Sequence, residues 1–195
     1  MNNDTPVHPR PLHKAATRLS AAMLFIGSQL LFTAPAQAAT QGNLGATSNA
    51  SVAISASVPA RARLSGLADI ALAGVNPASN AVASRNLCAW SNTSSKGYRI
   101  TASGSGAASA FTLANASLTV PYTVQWNQAS GQTSGTALTP GTASTTFTST
   151  ATHQQCLTGP TASASLVVTI TSAALLTMQA NTTYSGTLTL LMTPQ

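Results

Sequence analysis

Beyond residue 38 the chain is almost free of charge: Arg61, Arg63, Arg85, Lys96, Arg99 and Asp69 are its only charged side chains over 157 positions. Charged residues make up 5% of the whole sequence, against about 25% in an ordinary soluble protein. Such a chain must build its surface from hydroxyls and small side chains, which Ser, Thr, Ala and Gly supply. Disorder needs low hydrophobicity together with high charge. Here 44% of residues are hydrophobic, so the chain is expected to fold. Glu, Lys, Leu and Arg, the usual helix formers, are scarce, whereas Thr and Val suit a pleated surface. The composition therefore indicates an all-β protein.

The apolar pattern agrees, because it repeats with period two. Val52, Ile54, Ala56 and Val58 alternate with small residues. Leu118, Val120, Tyr122, Val124 and Trp126 share one face of a second segment, with Pro121 on the other face. Leu166, Val168 and Ile170 form a third. Tyr184, Gly186, Leu188, Leu190 and Met192 alternate with Ser and Thr in the last. Each pattern predicts a strand with one buried face. Shorter strands are expected at 67–73, 86–92, 97–103, 110–113 and 145–151. Turn-rich pieces at 74–80, 104–109, 128–135 and 158–161 separate them. Eight to ten short strands without an amphipathic helix predict a β-sandwich. Pro121 cannot donate to a ladder, so its strand is expected at an edge or at a bulge.

The N-terminus reads as a secretory signal peptide over residues 1–38. Arg10, His13, Lys14 and Arg18 precede a short apolar stretch. Ala34-Pro35-Ala36-Gln37-Ala38-Ala39 then offers a small-x-small cleavage site, with cleavage expected after Ala38 or Ala39. The apolar stretch is short for a span of about 20 residues and is interrupted by Gly27, Ser28 and Gln29. The expected location is periplasm in transit, then the cell surface or the medium, without stable membrane insertion. The two cysteines, Cys88 and Cys156, suit an oxidising compartment and predict one structural disulfide. Residues 39–50 are polar, with Leu44 their only sizeable apolar side chain, and read as a flexible extension. The domain is expected over 51–195.

Chemistry is hard to place on this chain. Past the signal it has one histidine, His153, and one acid, Asp69, whereas acid–base catalysis needs a tunable pair. No phosphate loop, dinucleotide fingerprint or metal motif occurs, so no enzyme activity, cofactor or metal is expected. His153 reads as a solvated turn residue. The net charge of +6 is scattered and not interleaved with aromatics, which argues against nucleic acid. Trp90 and Trp126 are the candidate ligand aromatics, although Trp126 shares a face with Leu118, Val120 and Val124, as a core residue would.

Several strings resemble a known family. Leu87-Cys88-Ala89-Trp90-Ser91-Asn92 followed by Tyr98-Arg99-Ile100-Thr101-Ala102 is similar to the cysteine strand and following strand of the spore coat protein U-like secreted pilins. So are Pro121-Tyr122-Thr123-Val124-Gln125-Trp126 and the ending Tyr184-Ser185-Gly186-Thr187-Leu188-Thr189-Leu190-Leu191. The resemblance implies an immunoglobulin-like sandwich of pilin type that lacks its last strand. It implies a subunit of a chaperone–usher pilus (fimbria), with a periplasmic chaperone, an outer-membrane usher and other pilus subunits as partners. Adhesion to a host or abiotic surface, or biofilm formation, would be its role. Residues Tyr184, Gly186, Leu188, Leu190 and Met192 would form the edge that pairs with the chaperone and then with a donor strand. The donor would be the N-terminal segment. Since 39–50 offers only Leu44, either the donor runs on into Val52, Ile54 and Val58, or this subunit is a poor donor, as a tip or self-completing subunit would be. The alternative is a self-contained secreted sandwich that binds a surface glycan or protein.

Overall fold

A computed structural model describes residues 38–195. The signal-peptide reading thus falls outside the described residues, except at Ala38. No helix among the described residues is long and apolar enough to cross a membrane. The chain divides into two units, Met1–Ala56 and Ser57–Gln195. In the first, Thr40 and Ser51 exchange two backbone hydrogen bonds of 2.9 and 3.0 Å. They close a polar loop that carries an exposed Leu44.

The second unit is all-β. Its first sheet joins β1 (Ala62–Ser65), β2 (Ala81–Ser91), β9 (Ala164–Ile170), β6 (Thr123–Asn127) and β7 (Thr136–Ala137) in that order. Its second joins β10 (Leu188–Pro194), β3 (Gly97–Gly104) and β8 (Phe147–Thr148). A hairpin of β4 (Thr112–Asn115) and β5 (Leu118–Pro121) stands apart. Every pairing is antiparallel. The order β1-β2-β9-β6 is that of strands A-B-E-D in an immunoglobulin-type sandwich, and β3-β10 is that of C-F. The seventh strand, G, which would flank β10, has no counterpart among the described residues.

The expected alternation buries Val120, Tyr122, Val124 and Trp126 on one face. Yet the segment is two strands, not one. Pro121 ends β5, and at Tyr122 the chain passes from the hairpin to β6, the Tyr122 N–H donating to the Phe111 carbonyl at 2.9 Å. Three other expected strands fail or shrink. Residues 51–58 form no strand; only Ser51 pairs. Residues 67–73 form none either, although Ile70 and Leu72 still pack on the core. The left-handed φ of 77° at Gly66 turns the chain out of the β1 ladder just before them. Of 145–151 only β8 pairs. A single helical turn, α1 (Ser172–Leu175), follows β9, and the Thr171 hydroxyl accepts from Ala174 N–H at 3.3 Å as its cap.

Two ties hold the sandwich. Between the sheets, Tyr98 of β3 and Trp126 of β6 are both fully buried. Their rings meet edge to face at 6.2 Å, and Trp126 Nε1–H donates to Tyr98 Oη at 3.1 Å. Outside the first sheet, Cys88 of β2 is bonded to Cys156, with Cα atoms 5.8 Å apart. Leu87 and Ala89 face the core, so by strand alternation Cys88 and Trp90 face outward. There they pack with Ala151 and pin the 149–163 loop.

Replacing Cys88 and Cys156 together by Ser should cost about 4 kcal/mol, because the bridge closes a loop with a sequence separation of 68. The midpoint of denaturant unfolding, compared with oxidised wild type, measures this. Tyr98 gives a second expectation. Burial pushes its hydroxyl up to about 12, offset in part by the Trp126 N–H, from an ordinary value near 10. The folded state holds this proton more tightly than the unfolded chain. Its contribution is therefore full below pH 10 and is lost as pH climbs through 12. Thermal midpoints of wild type should fall steeply over that window and those of Tyr98→Phe less so. At neutral pH the variant should be roughly 1–3 kcal/mol less stable, since the Trp126 N–H loses its partner.

Candidate functional site

The edge of β10 is open among the described residues. Its ladder to β3 runs from Leu188↔Gly104 to Pro194↔Tyr98. Gln195 N–H donates to the Gly97 carbonyl at 2.9 Å, which sets the phase. Residues 189, 191 and 193 exchange hydrogen bonds with β3, while the N–H and C=O groups of Leu190 and Met192 point the other way. No strand among the described residues meets them. The side chains of Leu188, Leu190 and Met192 pack on the core but stay half-buried. Their neighbours on β3, Tyr98, Ile100 and Ala102, are wholly enclosed. Burial thus fades across a single strand spacing towards β10.

β1 borders the same flank. Asn92 N–H donates to the Arg61 carbonyl at 3.1 Å, so residues 61, 63 and 65 face β2 and the backbone groups of Ala62 and Leu64 face away. Leu64 is half-buried on the core. β1 and β10 come within 8 Å at their nearest Cα atoms but share no ladder. Both strands are edges, each with polar backbone groups unpaired and apolar side chains only partly covered. The Ser65 hydroxyl of β1 is buried and has no hydrogen-bond partner.

The sequence-derived edge residues divide here. Leu188, Leu190 and Met192 lie on β10. Tyr184 and Gly186 do not, which corrects the expectation of a strand from 184. Tyr184 is buried in the core, and its hydroxyl accepts from Gln179 N–H at 3.2 Å. Ser185 pairs with Ala114. Gly186 sits where the chain crosses to β10, and a Cβ there would lie 2.9 Å from the Thr112 carbonyl oxygen. These contacts hold the approach to β10 against the β4 strand, so regular pairing with β3 starts only at Leu188.

Val52, Ile54 and Val58 are exposed. From 52 to 58 no backbone group is hydrogen-bonded among the described residues. Trp126 lies wholly in the core and offers no ring face to a ligand. Trp90 is half-buried against the disulfide. His153 is a turn residue, with its Nδ1 accepting from Gln155 N–H at 3.1 Å. Among the described residues no three of His, Cys, Asp and Glu come together as metal ligands would.

The part of the site that sequence reasoning missed is Asn92. Its Oδ1 accepts from Arg61 N–H at 2.6 Å and its Nδ2 donates to the Pro59 carbonyl at 2.9 Å. One carboxamide continues the β2 edge for one more peptide unit. An Asn directly after a strand is a common turn signal, and nothing in its spacing singled it out.

No family model matches this chain, and no curated protein matches it. Among solved structures it is similar to a chain from a chaperone–tip adhesin complex of CFA/I fimbriae, at 18% identity and a TM-score of 0.45. The match covers 70% of this chain and 41% of that one.

Proposed function

We propose that this protein is a structural or adhesive subunit of a surface pilus, assembled through a chaperone and usher by strand exchange. The observation that carries the reading is the β10 edge. An immunoglobulin-type sandwich with strands A to F in place has no G strand beside F among the described residues. A donor strand laid there would pair with Leu190 and Met192 and complete the burial of Leu188, Leu190 and Met192. The chain's own N-terminal segment has the matching form. Val52, Ile54, Ala56 and Val58 alternate, are exposed in the three larger cases, and are free of backbone hydrogen bonds. Each large apolar side chain buried on exchange contributes roughly 1.5–3 kcal/mol. A strand bonded to both β1 and β10 would need those edges about 10 Å apart, so its entry spreads the flank. The similarity of the terminal string to spore coat protein U-like pilins points the same way. On this reading residues 1–38 direct export, 39–50 form a polar leader and the sandwich follows.

The test is to produce the exported full chain together with a chaperone and usher of the same pathway, then run it unboiled on an SDS gel. Wild type should give a ladder of resistant multimers. Ile54→Asp should reduce them roughly tenfold or more, because it sets a charge into the core face of the donor. Leu190→Asp should do the same from the acceptor side. A wild-type chain that runs only as monomer, with 52–58 cleaved freely by protease, would refute the reading.

A further inference from the structure

A segment tethered to its own sandwich reaches its own edge before it meets another copy's, so donation to a second copy needs something that keeps the segment from folding back. We infer that Asn92 is that device: a positioning residue that fixes the direction in which residues 57–61 leave β1 and reserves the segment for a second copy of this chain. The inference rests on the strand-exchange reading above.

The strand directions set the problem. β1 begins beside Ser91, through the pair Ala62↔Ser91, and β10 ends beside Tyr98, through Pro194↔Tyr98. Ser91 Oγ donates to the Gly97 carbonyl at 3.0 Å, so both points lie at one end of the sandwich. The chain therefore leaves β1, going backwards, at the end where β10 stops. To lie beside its own β10 the segment would have to reverse at 59–61 and run back along the flank.

Asn92 opposes that reversal with three hydrogen bonds. Its backbone N–H holds the Arg61 carbonyl, and its side chain holds Arg61 N–H and the Pro59 carbonyl. A carbonyl at 59 and an N–H at 61 that point to one partner belong to extended backbone, so residues 59–61 continue the line of β1. Pro59 has no N–H to close a hairpin turn, and it pushes Val58 into extended conformations too. Losing the two side-chain bonds, each of ordinary neutral strength, shifts such an equilibrium about thirtyfold.

The experiment compares wild type, Asn92→Ala and a variant with four Gly/Ser residues inserted between Val58 and Pro59, all as the exported full chain with chaperone and usher. The readouts are the monomer-to-multimer ratio on unboiled SDS gels and protease protection of 52–58 in the monomer. Asn92→Ala should raise the share of monomers with a protected 52–58 segment by up to about thirtyfold. The insertion, which leaves β2 untouched, should do likewise and decides the matter if Asn92→Ala fails to fold. Unchanged ratios in both folded variants overturn the inference while wild-type multimers keep the strand-exchange reading standing. Absence of multimers in wild type overturns both.

Discussion

A β-strand inside a sheet satisfies its backbone on two sides, and among the described residues β10 does so on one. The rest of the second unit is arranged around that deficit. Tyr98, Ile100 and Ala102 of β3 are completely enclosed, because β10 covers one side of them and the 141–148 segment the other. Ser144 N–H donates to the Ile100 carbonyl and Gly141 N–H to the Ala102 carbonyl. One strand further out the same core is only half covered. Among the described residues no strand lies beyond Leu188, Leu190 and Met192 to finish the layer. The Tyr98–Trp126 pair keeps the two sheets in register behind this open side. It ties the centre of the sandwich without relying on the flank, while the disulfide pins the 149–163 loop to the outer face of the first sheet.

How a chain with so few charges satisfies its buried polar groups is visible in its serines. Ser163 receives Ala89 N–H on its hydroxyl at 2.9 Å, just where the β2–β9 ladder stops. The Ser149 hydroxyl donates to the Ala89 carbonyl. Ser165 Oγ stands 3.0 Å from the Gln132 N–H and from the Ala129 carbonyl, so the 128–134 loop folds over a strand that is buried on both faces. Asn92 extends β2 in the same manner. At the end of β2, short side chains serve as ladder partners where the strand runs out, as buried backbone requires. This makes physical sense of a composition rich in Ser and Thr beyond its use on the surface.

Much of this architecture could be read from the sequence, and the limits of that reading have physical causes. The expected strands at 97–103 and 165–171 match β3 and β9 almost to the residue, the 118–126 alternation is split at Pro121 into β5 and β6, and Cys88 and Cys156 are paired as their number suggested. Alternation alone could not say whether a strand has a partner. Residues 52–58 alternate as clearly as 164–170 yet carry no ladder, because a pattern records which side chains seek burial and not whether a sheet lies within reach. The 67–73 segment failed for a related reason: Ile70 and Leu72 are apolar because they pack on the core, but their backbone follows Gly66 out of register. At the edge, Leu188, Leu190 and Met192 were legible, while Tyr184 extended the same alternation falsely. Its burial comes from a ring and hydroxyl that fit beneath the 179–182 turn. Asn92 was illegible, since its role depends on where Pro59 and Arg61 lie.

The open flank also poses a problem of specificity that low charge makes sharper. Sheet edges are usually protected from wrong partners by lysines, prolines or inward-pointing charges. β10 has no charged residue, and Pro194 blunts only its last position. On the proposed strand-exchange reading, repulsion cannot select the occupant, which leaves register. A slip by one residue would turn Val52, Ile54 and Val58 outward and place small residues over Leu190 and Met192. On the proposed reading Ala56 is the informative position, the one inward site of the segment with a small side chain. The alternation that first suggested an ordinary strand would then act as the key that one edge accepts.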